Sequence, residues 1–359
     1  MNMQDDKNKL DLYNSENKTD IFKHIAVMIE EARKSVARSV NSEMCTTYYE
    51  IGRMIVEEEM KGSDRAQYGK KVINSLSHYL TEKFGKGFSV TNLKNCRKFY
   101  KVYSSEIGQK PSDQFKLSWS HYQILMRITN KDIRRFYEIE AIEQQWSVPQ
   151  LSRQYNSSLY ERLALSRNKL EVMQLANKGQ VVERPKDILK NPLVLEFLEM
   201  DEKTVYNETY LESAIISKLQ KFLLELGKGF LFEARQKRFT YDEQSFYVDL
   251  VFYNRLLQCY VLIDLKTDTL KHQDIGQMQM YVNYYDRKVK RDYEKPTIGI
   301  LLCKEKSDSI VEMTLPKEAN IYASEYSLYL PEKSLLQQKL QEWTREFEDE
   351  QETSENDND

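Results

Sequence analysis

The chain has 359 residues, enough for two or three domains with cores of their own, and its 40% hydrophobic and 30% charged residues describe a globular protein rather than a fibrous or membrane-embedded one. Its 24 Tyr, 14 Phe and 3 Trp exclude disorder over the whole length. The net charge of -3 conceals an asymmetry: residues 341–359 carry nine acids against one Arg, which leaves about +5 on residues 1–340.

Residues 1–18 are polar and read as a disordered, frayed N-terminus. Beyond them Ile21, Ile25, Met28, Ile29, Ala32 and Val36 recur at helical spacing, and a second run follows at Tyr48, Ile51, Ile55 and Val56, which predicts two amphipathic helices. Segment 61–103 carries ten Lys or Arg against Asp64 and Glu82, the electrostatic footprint of a phosphate-backbone binder. Residues 66–104 read as helix, turn, helix, with FGKGFS at 84–89 as the break and Ser89 or Thr91 as N-cap. On the second helix Leu93, Cys96, Tyr100 and Tyr103 line one side, while Lys94, Lys98 and Lys101, with Arg97 beside them, form a basic face. That face suits nucleic acid in the manner of a helix-turn-helix, and an ordinary helix pair with solvated lysines explains it equally.

Helical spacing continues over 117–178. Ser147, Val148, Pro149 and Gln150 have the spacing of a capping box with proline in the first turn, and the helix beyond carries Arg153, Arg162 and Arg167, which either extend a nucleic-acid surface or form ion pairs. Gly179, Pro185 and Pro192 interrupt the pattern, so 19–178 reads as a helical domain and 179–204 as a linker. From 205 to 340 the pattern is mixed: a helix over 208–226 ending at Gly227, the strands FLFEARQKRFT, SFYVDLVFYN, CYVLIDLKT and TIGILLC, and a helix around 272–288 between the last two strands. The order α-β-β-β-α-β predicts a small α/β domain. Residues 341–359 form an acidic tail of disordered composition. Cys45, Cys96, Cys259 and Cys303 lie too far apart for a zinc motif or a disulfide framework, no targeting segment or apolar run of spanning length is evident, and a cytoplasmic location is expected.

The third strand holds the most informative residues. Asp264 and Lys266 interrupt an apolar run at i and i+2 and so project from one face, and Asp249 is a second isolated acid within the preceding strand. A hairpin turn near Arg255–Gln258 would bring the two acids close. A buried charge is costly unless paired or bound to metal, and two neighbouring carboxylates call for a divalent cation. Oxygen donors without His or Cys suit Mg²⁺ or Mn²⁺, which would bind a phosphate oxygen and activate water while Lys266 stabilises charge on phosphorus. A structural Asp-Lys ion pair is the alternative reading of the same residues.

These segments resemble the PD-(D/E)XK nuclease superfamily, with its restriction-endonuclease-like α/β fold, and within it the YhcG-type nucleases. The resemblance rests on FGKGFSVTNLKNCRKFY, LSWSHYQILMRI and WSVPQLSRQ in the first half, and on LESAIISKLQKFLLELGKGFLFEARQKRF, FYVDLVFYN, IDLKT, GQMQMYVNYYD and PTIGILLC in the second. It implies a helical N-terminal domain of undefined role joined to a nuclease domain. It makes Asp249 and Asp264 the metal-binding acids, Lys266 the catalytic lysine, Glu212 a helical acid completing the metal shell, and Gln277 the glutamine on the helix after the catalytic strand. Val248 stands where the nominal motif has proline, and Asp264 where glutamate is more frequent. Gln236 and Arg235 lie on a strand leading toward this site and could touch a phosphate. The expected activity is a Mg²⁺-dependent endonuclease acting on DNA, with RNA open and a homodimer favoured for cutting both strands, its interface within 21–60. The alternative is a nucleic-acid-binding or assembly protein of a restriction or defence system that retains a slow or inactive nuclease fold.

Overall fold

A computed structural model of the chain describes residues 3–61, 65–105, 115–165, 169–201, 206–306, 311, 313–314 and 320–338. The chain divides into two compact units, Met1–Asn130 and Lys131–Asp359.

In the first unit α1 runs unbroken from Met3 to Lys61, followed by α2 (Arg65–Phe84), α3 (Val90–Tyr103) and α4 (Trp119–Leu125). The two separate helices expected from the sequence are replaced by this single helix. No glycine or proline occurs before Gly52, so nothing interrupts the i→i-4 ladder, and extension of an existing helix is inexpensive. Gly52 is where α1 meets α3: a Cβ there would stand 2.1 Å from the Cys96 carbonyl oxygen, so only glycine permits the approach. Ser89 caps α3 by accepting the Asn92 N–H at 3.2 Å. The buried face of α3 is Leu93, Cys96, Phe99 and Tyr103, with Phe99 in the place expected of Tyr100. Phe99 lies 4.7 to 6.0 Å, ring to ring, from Tyr49, Phe115, Trp119 and Tyr122, the geometry that gives aromatic clusters their extra stability. By contrast, residues 21–40 of α1 are exposed on every side.

The second unit begins with α5 (Lys131–Glu143), α6 (Val148–Asn156), α7 (Leu159–Ala164) and α8 (Lys169–Lys178). Then come β1 (Leu193–Val194), α9 (Glu208–Ser217), α10 (Leu219–Leu226), β2 (Phe230–Tyr241), β3 (Gln244–Asn254), β4 (Cys259–Thr269), α11 (His272–Tyr284), β5 (Ile298–Glu305) and β6 (Ile321–Ser327). The six strands form one sheet in the order β1-β6-β5-β4-β3-β2. β2, β3 and β4 are an antiparallel meander, and the β4–β5, β5–β6 and β6–β1 pairs are parallel. A parallel pair needs a crossover, which α11 supplies between β4 and β5. Leu211, Ile215 and Phe222 from α9 and α10 pack on one face with Leu250, Val261, Ile263 and Ile300. Ile275, Met278 and Tyr281 of α11 cover the other with Val248, Val251, Leu262 and Leu301.

Several expectations change here. The helix expected over 208–226 is two, broken at Lys218, whose φ of -121° and ψ of 32° leave the helical region. β1 and β6 add two strands to the four anticipated. The compact units divide at 130/131, and α6, α7 and residues 179–204 are tied to α10 within the second unit. Arg162 Nη1 donates to Glu225 Oε1 and to the Pro192 carbonyl at 2.9 Å, while Arg153 reaches Glu196 at 2.8 Å and Glu225 at 3.1 Å. The two arginines are therefore ion-paired. The capping box at Ser147 forms as its spacing predicts. Arg167 and the acidic tail over 341–359 lie outside the described residues.

Candidate active site

The site is built where two strands part. β3 and β4 are in register from Asn254↔Cys259 to Leu250↔Ile263, after which β3 continues with β2 alone and β4 with β5 alone. Leu265 thereby loses a ladder acceptor for its N–H, and a buried N–H requires a replacement. Asp249 Oδ2 provides it at 2.8 Å. The fork holds Asp249 on one prong and Asp264 and Lys266 on the other. Alternation along β4 puts Asp264 on the Leu262 side of the sheet, the side that α11 covers.

Asp264 is only 3% exposed. Burial, and after it the charge of Asp249, push its carboxyl up to about 7 against the opposing pull of Lys266. Its Oδ2 stands 2.8 Å from Lys266 Nζ, a buried ion pair at hydrogen-bonding distance. Lys266 Nζ also lies 3.6 Å from Glu208 Oε1 at the start of α9. Burial alone would lower the ammonium pKa, but Asp264 and Glu208 outweigh it and hold the group protonated far above neutrality.

Glu212, on α9 and 2% exposed, approaches from the side of β2. Its Oε2 accepts from Gln236 Nε2 at 2.5 Å, and the same nitrogen donates to Asp249 Oδ1 at 2.9 Å. Arg235 Nε lies 3.2 Å from Glu212 Oε1. Gln277, exposed on α11, donates to the phenol of Tyr281 one turn on, and Tyr281 is core. Asp249, Asp264, Lys266, Glu212 and Gln236 thus meet around the fork between β3 and β4. Sequence reasoning passed over Glu208, because directly after the N-cap Asn207 it reads as an ordinary acid of a first helical turn. In the first unit Lys94, Lys98 and Lys101 are exposed along α3, whereas Arg97 is held by Glu59 at 2.7 Å.

The donor chemistry fits a hard divalent cation. Among the described residues no three His, Cys, Asp or Glu side chains are set as a ready metal cage. Asp249 and Asp264 are a pair, and Mg²⁺ is commonly held by one or two carboxylates together with water and substrate phosphate. The buried carboxyl of Asp264, crowded by the charge of Asp249, is the observation that fits.

Residues 186–341 match the family described as the YhcG PDDEXK nuclease domain, and residues 24–162 match the DUF1016 N-terminal domain. An Escherichia coli (strain K12) protein named "Putative nuclease YhcG" is 37% identical over 342 residues, which cover 87% of this chain and 91% of that one. Among solved structures, a repair endonuclease from Pyrococcus abyssi aligns at 16% identity with a TM-score of 0.25, over 36% of this chain and 50% of its own. The "EndoMS-dsDNA2 complex" aligns at 14% identity with a TM-score of 0.26, over 37% of this chain and 50% of its own.

Proposed function

Because the chain belongs to the YhcG family, whose C-terminal half is a PDDEXK nuclease domain, we propose that it cleaves phosphodiester bonds of DNA as a Mg²⁺- or Mn²⁺-dependent endonuclease at Asp249, Asp264 and Lys266. The observation that carries this reading is the parting of β3 and β4, which brings Asp249 and the buried Asp264 together beside Lys266, whose Nζ lies 2.8 Å from Asp264 Oδ2.

Asp249 and Asp264 would hold the cation. When bound, it supplies Lewis acidity to a phosphate oxygen and lowers the pKa of a water. Lys266 is kept cationic by Asp264 and Glu208, so it serves as a fixed positive charge toward the phosphate in the transition state rather than as a base. Asp249, anchored by the Leu265 N–H, keeps its carboxylate facing the fork, and Gln277, exposed within α11, holds its amide on the Tyr281 phenol.

Substrate phosphates would also meet Lys94, Lys98 and Lys101, which lie on one exposed side of α3 at i, i+4 and i+7. The partner of α1 would be a second copy of this chain. Its exposed Phe22, Ile25, Ile29 and Val36 fall in a heptad-like stripe. Two such helices laid antiparallel about Ala32 set Glu30 and Glu31 of one against Arg33 and Lys34 of the other, a self-complementary arrangement of the kind a two-fold dimer requires.

The test is cleavage of duplex DNA, single-stranded DNA and RNA by wild type, Asp264→Ala and Lys266→Ala with Mg²⁺, Mn²⁺ or EDTA. Metal-dependent cutting of duplex DNA that both substitutions abolish is the expected result. Equal cutting by all three proteins removes the assignment, and preference for RNA replaces the substrate.

A further inference from the structure

Gln236 has a backbone conformation that glutamine rarely adopts. It lies inside β2, between the paired steps Arg235↔Leu250 and Lys237↔Val248, and therefore stands opposite Asp249. Its φ is +45°, in the left-handed region, and its step is missing from the otherwise paired ladder on either side. Strain of this kind at a non-glycine residue persists only where surrounding contacts enforce it, and it gathers at functional sites. What the contortion achieves is visible in the side chain: a single amide nitrogen donates to Glu212 Oε2 at 2.5 Å and to Asp249 Oδ1 at 2.9 Å. Carboxylate oxygens only accept, so the NH₂ end must face them. One small, partly positive group thus sits between two negative ones.

We propose that Gln236 is a positioning residue that stands in for the divalent cation between Glu212 and Asp249 and withdraws when the cation binds. This inference rests on the metal-dependent reading of the site. In the metal-free protein the amide prevents the two carboxylates from repelling each other apart, which preserves the spacing of the site. Withdrawal needs no unpacking, because Gln236 is exposed and turns about three side-chain bonds, whereas Glu212 is buried and stays in place. Glu212 is then released to share the cation with Asp249. The amide competes with the metal, so its removal has opposite consequences for the two states.

The experiment measures Mn²⁺ binding by titration calorimetry and metal-free thermal stability on the full chain, without substrate, for wild type, Gln236→Ala, Gln236→Glu and Asp249→Asn. Gln236→Ala is expected to melt lower without metal yet bind Mn²⁺ about tenfold more tightly, since the competing state is gone. Gln236→Glu, which adds a charge, exceeds it in both directions. Weaker or unchanged Mn²⁺ binding by Gln236→Ala overturns the proposal, the weaker case making the glutamine a ligand. Should the alanine variant fail to fold, Gln236→Met, of similar length and without a donor, takes its place under the same criteria. Wild type that binds no Mn²⁺, or Asp249→Asn that binds it as wild type does, overturns the metal site itself and the inference with it.

Discussion

Two charged clusters of the second unit invite comparison, one around Glu225 and one around Asp264. Glu225, fully buried, accepts from Arg162 and from the Val194 N–H at 3.0 Å through one oxygen, and from Arg153 at 3.1 Å through the other. Burial would raise its pKa, but Arg162, Lys190 and Arg153 together outweigh burial and hold it at about 2. Lys190 itself, fully enclosed, is lowered by burial to about 8. Around Asp264 the balance is reversed. Glu208, Glu212, Asp249 and Asp264 face Lys266 and Arg235, four acids against two cations among the described residues. The first cluster is completed by the protein and ties α6 and α7 to α10. The second is left with more acids than cations, a shortfall that a divalent cation would relieve, which is how a structural cluster differs from a binding one.

The largest expected effect lies in the second cluster. Asp264→Asn keeps the shape and removes the charge, so cleavage should fall by roughly 10³-fold, the scale of losing a key electrostatic contact. Thermal melting of the metal-free variant should be no lower than wild type, because the lost charge was one that burial and Asp249 disfavoured. Cleavage of plasmid DNA within tenfold of wild type would place the chemistry elsewhere.

The same substitution type in the first cluster should act on stability instead. Glu225→Gln strands Arg162, whose side chain is fully buried, and is expected to cost about 3 kcal/mol in urea denaturation. Its pH signature has a definite sign. Glu225 is depressed from 4.5 to about 2, so its contribution is complete above pH 4.5 and disappears as pH falls from 4.5 toward 2. A pKa difference of that size corresponds to about 3 kcal/mol of acid-labile stability, which the glutamine variant should lack. Parallel stability curves for the two proteins over that window would contradict the pairing.

This contrast explains what could be read in the sequence. Asp249, Asp264 and Lys266 were legible because a charge within an apolar strand is conspicuous, and the hairpin at Arg255–Gln258 fixed which strands are neighbours. The capping box at Ser147 and the end of α10 at Gly227 are local, and local signals survive without tertiary information. That α6 and α7 pack with α10 was not legible, since it depends on Arg162 meeting Glu225, 63 residues away. β6 was missed because IYASEYS is too polar to stand out as a strand. α1 read as two helices because its apolar spacing lapses between its two runs, although no residue there breaks a helix. The bridge from Gln236 to two carboxylates follows from a positive φ that no glycine announced.

The smallest expected effect sharpens the comparison at single-residue scale. Arg153 and Arg235 each face a buried glutamate, but Arg153 is 15% exposed and hydrogen-bonds to several partners, whereas Arg235 is 48% exposed and lies 3.2 Å from Glu212 without a hydrogen bond. Solvent screens the second pair, so Arg235→Ala should change unfolding free energy by less than about 1 kcal/mol in urea titration. It nonetheless removes one of two cations from an already negative cluster. Mn²⁺ affinity, measured by calorimetry on the same sample, should therefore rise by a few-fold while stability barely moves. A loss of several kcal/mol would mean that Arg235 completes its cluster as Arg153 does, and that the edge of β2 is structural rather than poised for a cation.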